Sequence, residues 1–181
     1  LSQPFHVAEV FTGTAGKSTT ASFLVALLRG AGIGVHASTT ARVGQLWATE
    51  ELLPLLDPYG AKPTPTPTAT PTEGSEPPSR SPDHPASLHP PLDSWLVLEL
   101  TSSHLAFCNA SPTVAVVTCV WPDHVELHGS VEAYVAAKER IVRHQRPDDR
   151  VVVNADDPVA ARFAELTPAE RWSFSALREV E

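Results

Sequence analysis

Thr12-Gly13-Thr14-Ala15-Gly16-Lys17-Ser18-Thr19-Thr20 decides the reading of this chain. Before it lies the apolar run His6-Val7-Ala8-Glu9-Val10-Phe11, and after it an apolar stretch that closes at Gly30-Ala31-Gly32. Strand, glycine-rich turn, Lys-Ser and helix together make the layout of a phosphate-binding loop. Glycines let backbone N–H groups close on phosphate oxygens, and the following helix points its positive end at the same anion. In that layout Gly13, Thr14, Ala15, Gly16, Lys17, Ser18 and Thr19 cradle the phosphates of a nucleotide. Lys17 reaches the terminal ones, and the Ser18 hydroxyl can ligate Mg2+. Phe11 stands where the strict pattern has its first glycine, so a plain glycine turn between strand and helix remains the alternative.

The 181 residues suffice for one α/β domain with a core, and the 42% hydrophobic share is that of an ordinary globular protein. A formal net charge of −8 argues against a nucleic-acid partner. Cys108 and Cys119 have no paired or metal-binding spacing and read as small reduced core residues. With no apolar run long enough for a membrane span and no signal peptide, the expected location is cytoplasmic. The chain begins at Leu1 and has no methionine, which reads as a piece cut from something longer.

Along the chain, residues 6–11 predict a buried strand and Lys17–Arg29 a helix apolar nearly all round, suited to burial against a sheet. Val35–Ser38 starts another strand. Eleven of the 18 prolines then fall between Pro58 and Pro91. Pro-Thr repeats build neither helix nor sheet interior, so residues 62–90 read as a disordered surface insertion, with His84 and His89 as solvated loop residues. Trp95–Leu100 and Val114–Val120 are continuous apolar runs, the mark of parallel strands covered on both faces. Ser130–Arg143 predicts a helix N-capped by Ser130, with Glu132 near its start and Arg140 and Arg143 near its end. Val151–Val153, Pro158–Leu166 and Trp172–Phe174 complete the series as strand, helix and strand. The fold class is α/β, a doubly wound and mostly parallel sheet with the phosphate loop at a strand's carboxyl end.

Other candidate residues cluster at strand ends. Glu99 closes an apolar strand and is placed to share Mg2+ with Ser18; a solvated strand-end acid is the alternative. Asp123-His124 follows the Val114–Val120 run and reaches the same cleft. His124 and His128 are four apart, but Pro122 and Gly129 argue against a helix there and hence against a zinc pair. Lys138 alone would be a surface lysine. Asn154-Ala155-Asp156-Asp157-Pro158 is either a cap-and-turn or an amide offered to an adenine edge.

Five of these stretches recur together in one family. Gly13–Thr19, Leu98-Glu99-Leu100-Thr101-Ser102-Ser103, Asp123–Ser130, Ala133-Tyr134-Val135-Ala136-Ala137-Lys138 and Asn154–Pro158 resemble the central, ATP-binding domain of the Mur ligases. The pattern is most like the branch that adds D-glutamate to UDP-N-acetylmuramoyl-L-alanine. The resemblance implies an ATP-dependent ligase that forms an amide bond through an acyl phosphate, in peptidoglycan precursor synthesis. It implies that Lys17 contacts the phosphates, Ser18 and Glu99 hold one Mg2+, and His124 helps hold a second. It further implies that Lys138 is carbamylated and that Asn154 contacts adenine. The nucleotide-sugar peptide substrate and the amino acid would be held largely by flanking domains. Other members of the superfamily, of folylpolyglutamate or cyanophycin type, and a P-loop kinase or NTPase remain alternatives. Three positions depart from the family pattern: Ala15 replaces an asparagine, Glu126-Leu127 replaces Asp-Arg, and Ser38–Gly44 only faintly matches a Gly-Asn-Ile-Gly segment.

Overall fold

The computed structural model describes residues 7–38, 95–177 and 179. The proline-rich stretch 62–90, with His84 and His89, and most of Ser38–Gly44 lie outside the described residues. Among the described residues, six strands form one sheet: β1 (Val7–Thr12), β2 (Val35–Ser38), β3 (Trp95–Glu99), β4 (Val114–Val117), β5 (Arg150–Asn154) and β6 (Glu170–Phe174). Their order is β2-β3-β1-β4-β5-β6, and every neighbouring pair is parallel. Among the described residues, the helices are α1 (Lys17–Gly30), α2 (Ser102–Leu105), α3 (Val125–His128), α4 (Val131–Arg143) and α5 (Pro158–Ala161), which continues as a 3-10 turn over Arg162–Leu166.

Alternate residues of each strand serve opposite faces, so two cores form. Val10, Leu96, Leu98, Ala115, Val117, Val151 and Val153 pack with Tyr134, Ile141 and Val142 of α4 and with Phe163. Phe11, Val97, Val116 and Ala37 pack with Ala21, Val25 and Leu28 of α1 on the other face. From β1 the chain runs outward to β2 through α1; from β3 it crosses β1 to β4 and proceeds to β5 and β6. Right-handed crossovers in opposite directions put α1 and α4 on opposite faces, with the reversal at β1 and β4.

Three expectations need correction. The helix that reads as apolar nearly all round does lie against the sheet but buries one side only: Phe23 is 68% and Leu27 70% exposed, because the sheet covers only the side carrying Ala21, Val25 and Leu28. The run Val114–Val120 is strand only to Val117: Thr118 N–H still donates to Thr12 O of β1, while Cys119 and Val120 bond to Thr14 and Asp157. A helical turn does form at α3 despite Pro122 and Gly129, which lie just outside it. Ser130 caps α4 as the sequence suggests, its Oγ accepting the Ala133 N–H at 3.1 Å.

β1 carries one residue at odds with its surroundings. Glu9 aligns with Val97 and Val114 on the α1 side, and burial raises its carboxyl from 4.5 to about 7. The folded chain therefore binds more protons than the unfolded chain between those values, and stability falls as pH rises through that window. Each tenfold change in proton affinity is worth about 1.4 kcal/mol, and partial solvent access trims the effect, so the loss is of the order of 2–3 kcal/mol. Urea unfolding of the wild-type chain and of Glu9→Gln at pH 4.5 and pH 8 should show the decline in the wild type and a nearly flat response in the variant. An equal response in both would show that Glu9 does not control it.

Candidate functional site

The glycine loop Gly13–Gly16 leaves β1 at Thr12 and is held against the segment that follows β4. Thr118 N donates to Thr12 O at 3.0 Å, and Thr14 N donates to Cys119 O at 2.7 Å. The Thr118 hydroxyl donates to Ala15 O at 2.5 Å. Ala15 N donates to Cys119 Sγ at 3.3 Å. Thr14 Oγ1 accepts Trp121 N–H at 2.9 Å and lies 3.0 Å from both Trp121 O and Tyr134 Oη. One hydroxyl proton serves Trp121 O, so Tyr134 is the donor in the third bond. Cys119 thus lies against the loop instead of filling the core.

Two glycines shape the loop for different reasons. A Cβ on Gly13 would stand 2.0 Å from Thr118 Oγ1 and 2.9 Å from Cys119 O. Gly16 has φ +81° at the start of α1, a conformation that other residues adopt at a cost. From there α1 presents its N-terminal turn, with Ser18 and Thr19, to the mouth of the loop. Lys17 Nζ folds back onto Thr14 O at 3.2 Å.

Lys138 enters from the opposite face of the sheet. Its side chain, 2% exposed, rises from α4 and donates to Gly13 O at 2.9 Å and to Thr12 Oγ1 at 3.4 Å. The ammonium lies 5.0 Å from the centre of the Tyr134 ring. Burial, and secondly the charge of Lys17, lower its pKa from 10.5 to about 8. Glu99, 1% exposed, ends β3 beside Phe11 and shares with Val97 the side of the sheet on which α1 lies. A buried strand-end carboxylate together with the Ser18 hydroxyl is an all-oxygen donor set and fits Mg2+.

His124 is exposed, and its backbone is left-handed (φ 50°, ψ 32°) at the start of α3. Such a conformation in a non-glycine residue is held by its surroundings and recurs at functional sites. Its ring nitrogens lie 3.5 Å from Asp123 and 3.7 Å from Glu126. His128 points elsewhere, its Nε2 2.9 Å from Ser102 Oγ, so the two histidines do not form a metal pair. Asn154 gives one amide proton to Thr118 O at 2.9 Å and accepts Asp156 N–H at 2.9 Å. Asp157 caps α5 through Val159 N and Ala160 N, and its other oxygen takes Val120 N–H at 2.6 Å. The loop residues, Lys138, Glu99 and Asn154 therefore gather at the carboxyl edge around β1 and β4, and His124 borders them on an exposed turn. Sequence reading gave no site role to Thr118, Cys119, Tyr134, Asp157, Ser102 or His128.

A family model described as the Mur ligase middle domain matches residues 11–179. The chain belongs to that family. Mur ligases are ATP-dependent and generally need Mg2+. The chain is 33% identical over 153 residues to a UDP-N-acetylmuramoylalanine–D-glutamate ligase of Symbiobacterium thermophilum, covering 84% of this chain and 25% of that protein. It is 43% identical over 89 residues to the ligase of the same name from Acidobacterium capsulatum, covering 49% of this chain and 19% of that one. The chain thus spans a quarter or less of these relatives. A solved UDP-N-acetylmuramoyl-L-alanyl-D-glutamate–2,6-diaminopimelate ligase shares the fold, with TM-score 0.62 at 18% identity over 96% of this chain and 33% of that one. Among the described residues, no helix is long and apolar enough to cross a membrane.

The Mur ligase departures have local readings. Ala15 is held by backbone contacts to Thr118 and Cys119 that need no side chain. Glu126 faces His124, and Leu127 is exposed. Gly13→Ala should cost about 1–3 kcal/mol of stability, the usual range for overpacking. It should also weaken nucleotide binding, because Thr14 and Ala15 must shift. Unfolding and ATP titration check this, and wild-type behaviour on both counts would refute the close approach.

Proposed function

We propose that this chain is the ATP-binding middle domain of a cytoplasmic ligase that joins D-glutamate to UDP-N-acetylmuramoyl-L-alanine in peptidoglycan precursor synthesis. The relatives' names supply the substrates. The observation that carries the chemistry is the buried Lys138 bonded to the phosphate loop at Gly13 O. A surface lysine would not be held there. In the proposed reaction a substrate carboxylate takes the γ-phosphoryl group of ATP and ADP leaves. The amine of D-glutamate then attacks the acyl phosphate, forming the amide and releasing phosphate.

The residues divide this work by position. The amides from Gly13 to Thr19 and the α1 N-terminus hold the phosphates, and Lys17 swings from Thr14 O to the terminal ones. Ser18 and Glu99 would hold one Mg2+ and His124 would help with a second. Bound there, the ions offset charge on the transferring phosphoryl oxygens. Asn154 keeps one amide proton beyond its bond to Thr118 O and offers it to adenine. Burial lowers the Lys138 pKa, which favours the neutral amine that CO2 requires. Carbamylation releases a proton and turns a repelling ammonium into an oxygen donor. Flanking domains of the longer protein hold the nucleotide-sugar peptide and the amino acid. This stretch alone is expected to bind Mg-ATP weakly and to ligate nothing.

ADP release by the full-length enzyme decides the reading. It should require both UDP-N-acetylmuramoyl-L-alanine and D-glutamate, and release without an amino acid, or with a folate acceptor instead, would overturn it. In the same assay Lys138→Ala should abolish turnover, with partial rescue by a small added carboxylate. Glu99→Gln should slow turnover far more than it weakens ATP binding. Full activity in Lys138→Ala would end the proposed role of that lysine.

A further inference from the structure

The Ser102–His128 contact joins two turns that the proposed reaction needs at a fixed separation. β3 and β4 flank β1 and do not pair with each other, so no ladder bond sets the distance between the turns that follow them. Glu99 closes β3 three residues before Ser102, and His124 opens α3 four residues before His128. Between these turns, Ser102 Oγ and His128 Nε2 lie 2.9 Å apart, with Ser102 buried.

Each end of the bridge is fixed independently. Ser102 is the first residue of α2, whose cap Thr101 is locked in reciprocal bonds with His104. The His128 ring stands edge-on to Tyr134, with centroids 5.5 Å apart, and the Tyr134 hydroxyl reaches Thr14 of the phosphate loop. The bridge therefore arches across β1 and is braced from below by the helix that carries Lys138.

We infer that His128 is a positioning residue, which sets the separation of the Glu99 and His124 turns through Ser102. It touches neither nucleotide nor metal and acts through its two neighbours. The inference rests on the ligase reading only in assigning Glu99 and His124 to Mg2+.

The test is calorimetric titration of ATP into the full-length protein, with EDTA and with saturating Mg2+. His128→Leu and Ser102→Ala should each cut the Mg2+-dependent gain in affinity about tenfold or more, as loss of groups that orient metal ligands does. Affinity in EDTA should stay within about twofold, since the loop itself is untouched. The double variant should be no worse than the poorer single one, because both remove the same bond. His128→Gln, which can present an amide to Ser102, should keep most of the gain. A purely structural residue would lower the melting temperature and both affinities together, and that pattern would overturn the inference. So would an unchanged Mg2+ gain in Ser102→Ala, or additive losses in the double variant. Should His128→Leu fail to fold, Ser102→Ala and His128→Gln decide by the same criteria. The titration needs no amino acid, so a failure of D-glutamate-dependent ADP release would count against the ligase reading alone.

Discussion

A parallel strand that stops short leaves backbone donors and acceptors without ladder partners, and buried ones must find others. β4 ends at Val117, yet the chain stays packed at the sheet edge through Val120. Six backbone groups of Thr118–Trp121 find partners there. Thr118 N goes to Thr12 O, and Cys119 O takes Thr14 N–H. Trp121 gives its N–H to the Thr14 hydroxyl and accepts that hydroxyl's proton on its carbonyl. On the other side, Thr118 O takes Asn154 and Val120 N goes to Asp157. The phosphate loop and the β5–α5 turn are thus fastened to one short segment. Loop shape, the place of Asn154 and the reach of Lys138 all depend on it.

The fastening explains why the site sits at the β1–β4 boundary. The chain reverses its direction of travel across the sheet there, and the opened edge leaves room for a ligand. Lys138 comes from one face; Ser18 and Glu99 belong to the other. A group that must meet both can do so only above the end of β1, where Gly13 and Gly16 of the glycine loop carry no side chains and the Thr14 hydroxyl is turned onto Trp121 and Tyr134. Close approach of Gly13 to Thr118 keeps that loop low against the sheet.

Much of this was legible in the sequence. Buried parallel strands announce themselves as unbroken apolar runs, and β1, β3 and β5 lie within two residues of their expected bounds. The glycine turn between β1 and α1, the α4 cap at Ser130 and the placing of Lys138 in an amphipathic helix carried local signals of the same kind. What was not legible lacked local signal. α2 and α3 are single turns of four residues each, too short for any periodicity. Thr118 and Cys119 read as the tail of an apolar strand, because nothing local marks where a ladder ends. Ser102 and His128 are far apart in sequence and meet only through the crossover over β1. Asn154 reads either as part of a cap-and-turn or as an amide offered to adenine, and nothing local shows that one of its protons is held by Thr118 O. The outer face of α1 misled because its apolar residues gave no sign of which side the sheet would cover.

Amide hydrogen exchange in the nucleotide-free protein tests the central claim most directly. If the segment after β4 holds the phosphate loop before any ligand arrives, the N–H groups of Thr14, Thr118 and Val120 open only with the core. They should then exchange as slowly as Val116 in the middle of β4. Fast exchange at these three positions, with Val116 still protected, would mean that the loop takes its shape only when nucleotide binds, and would contradict the account.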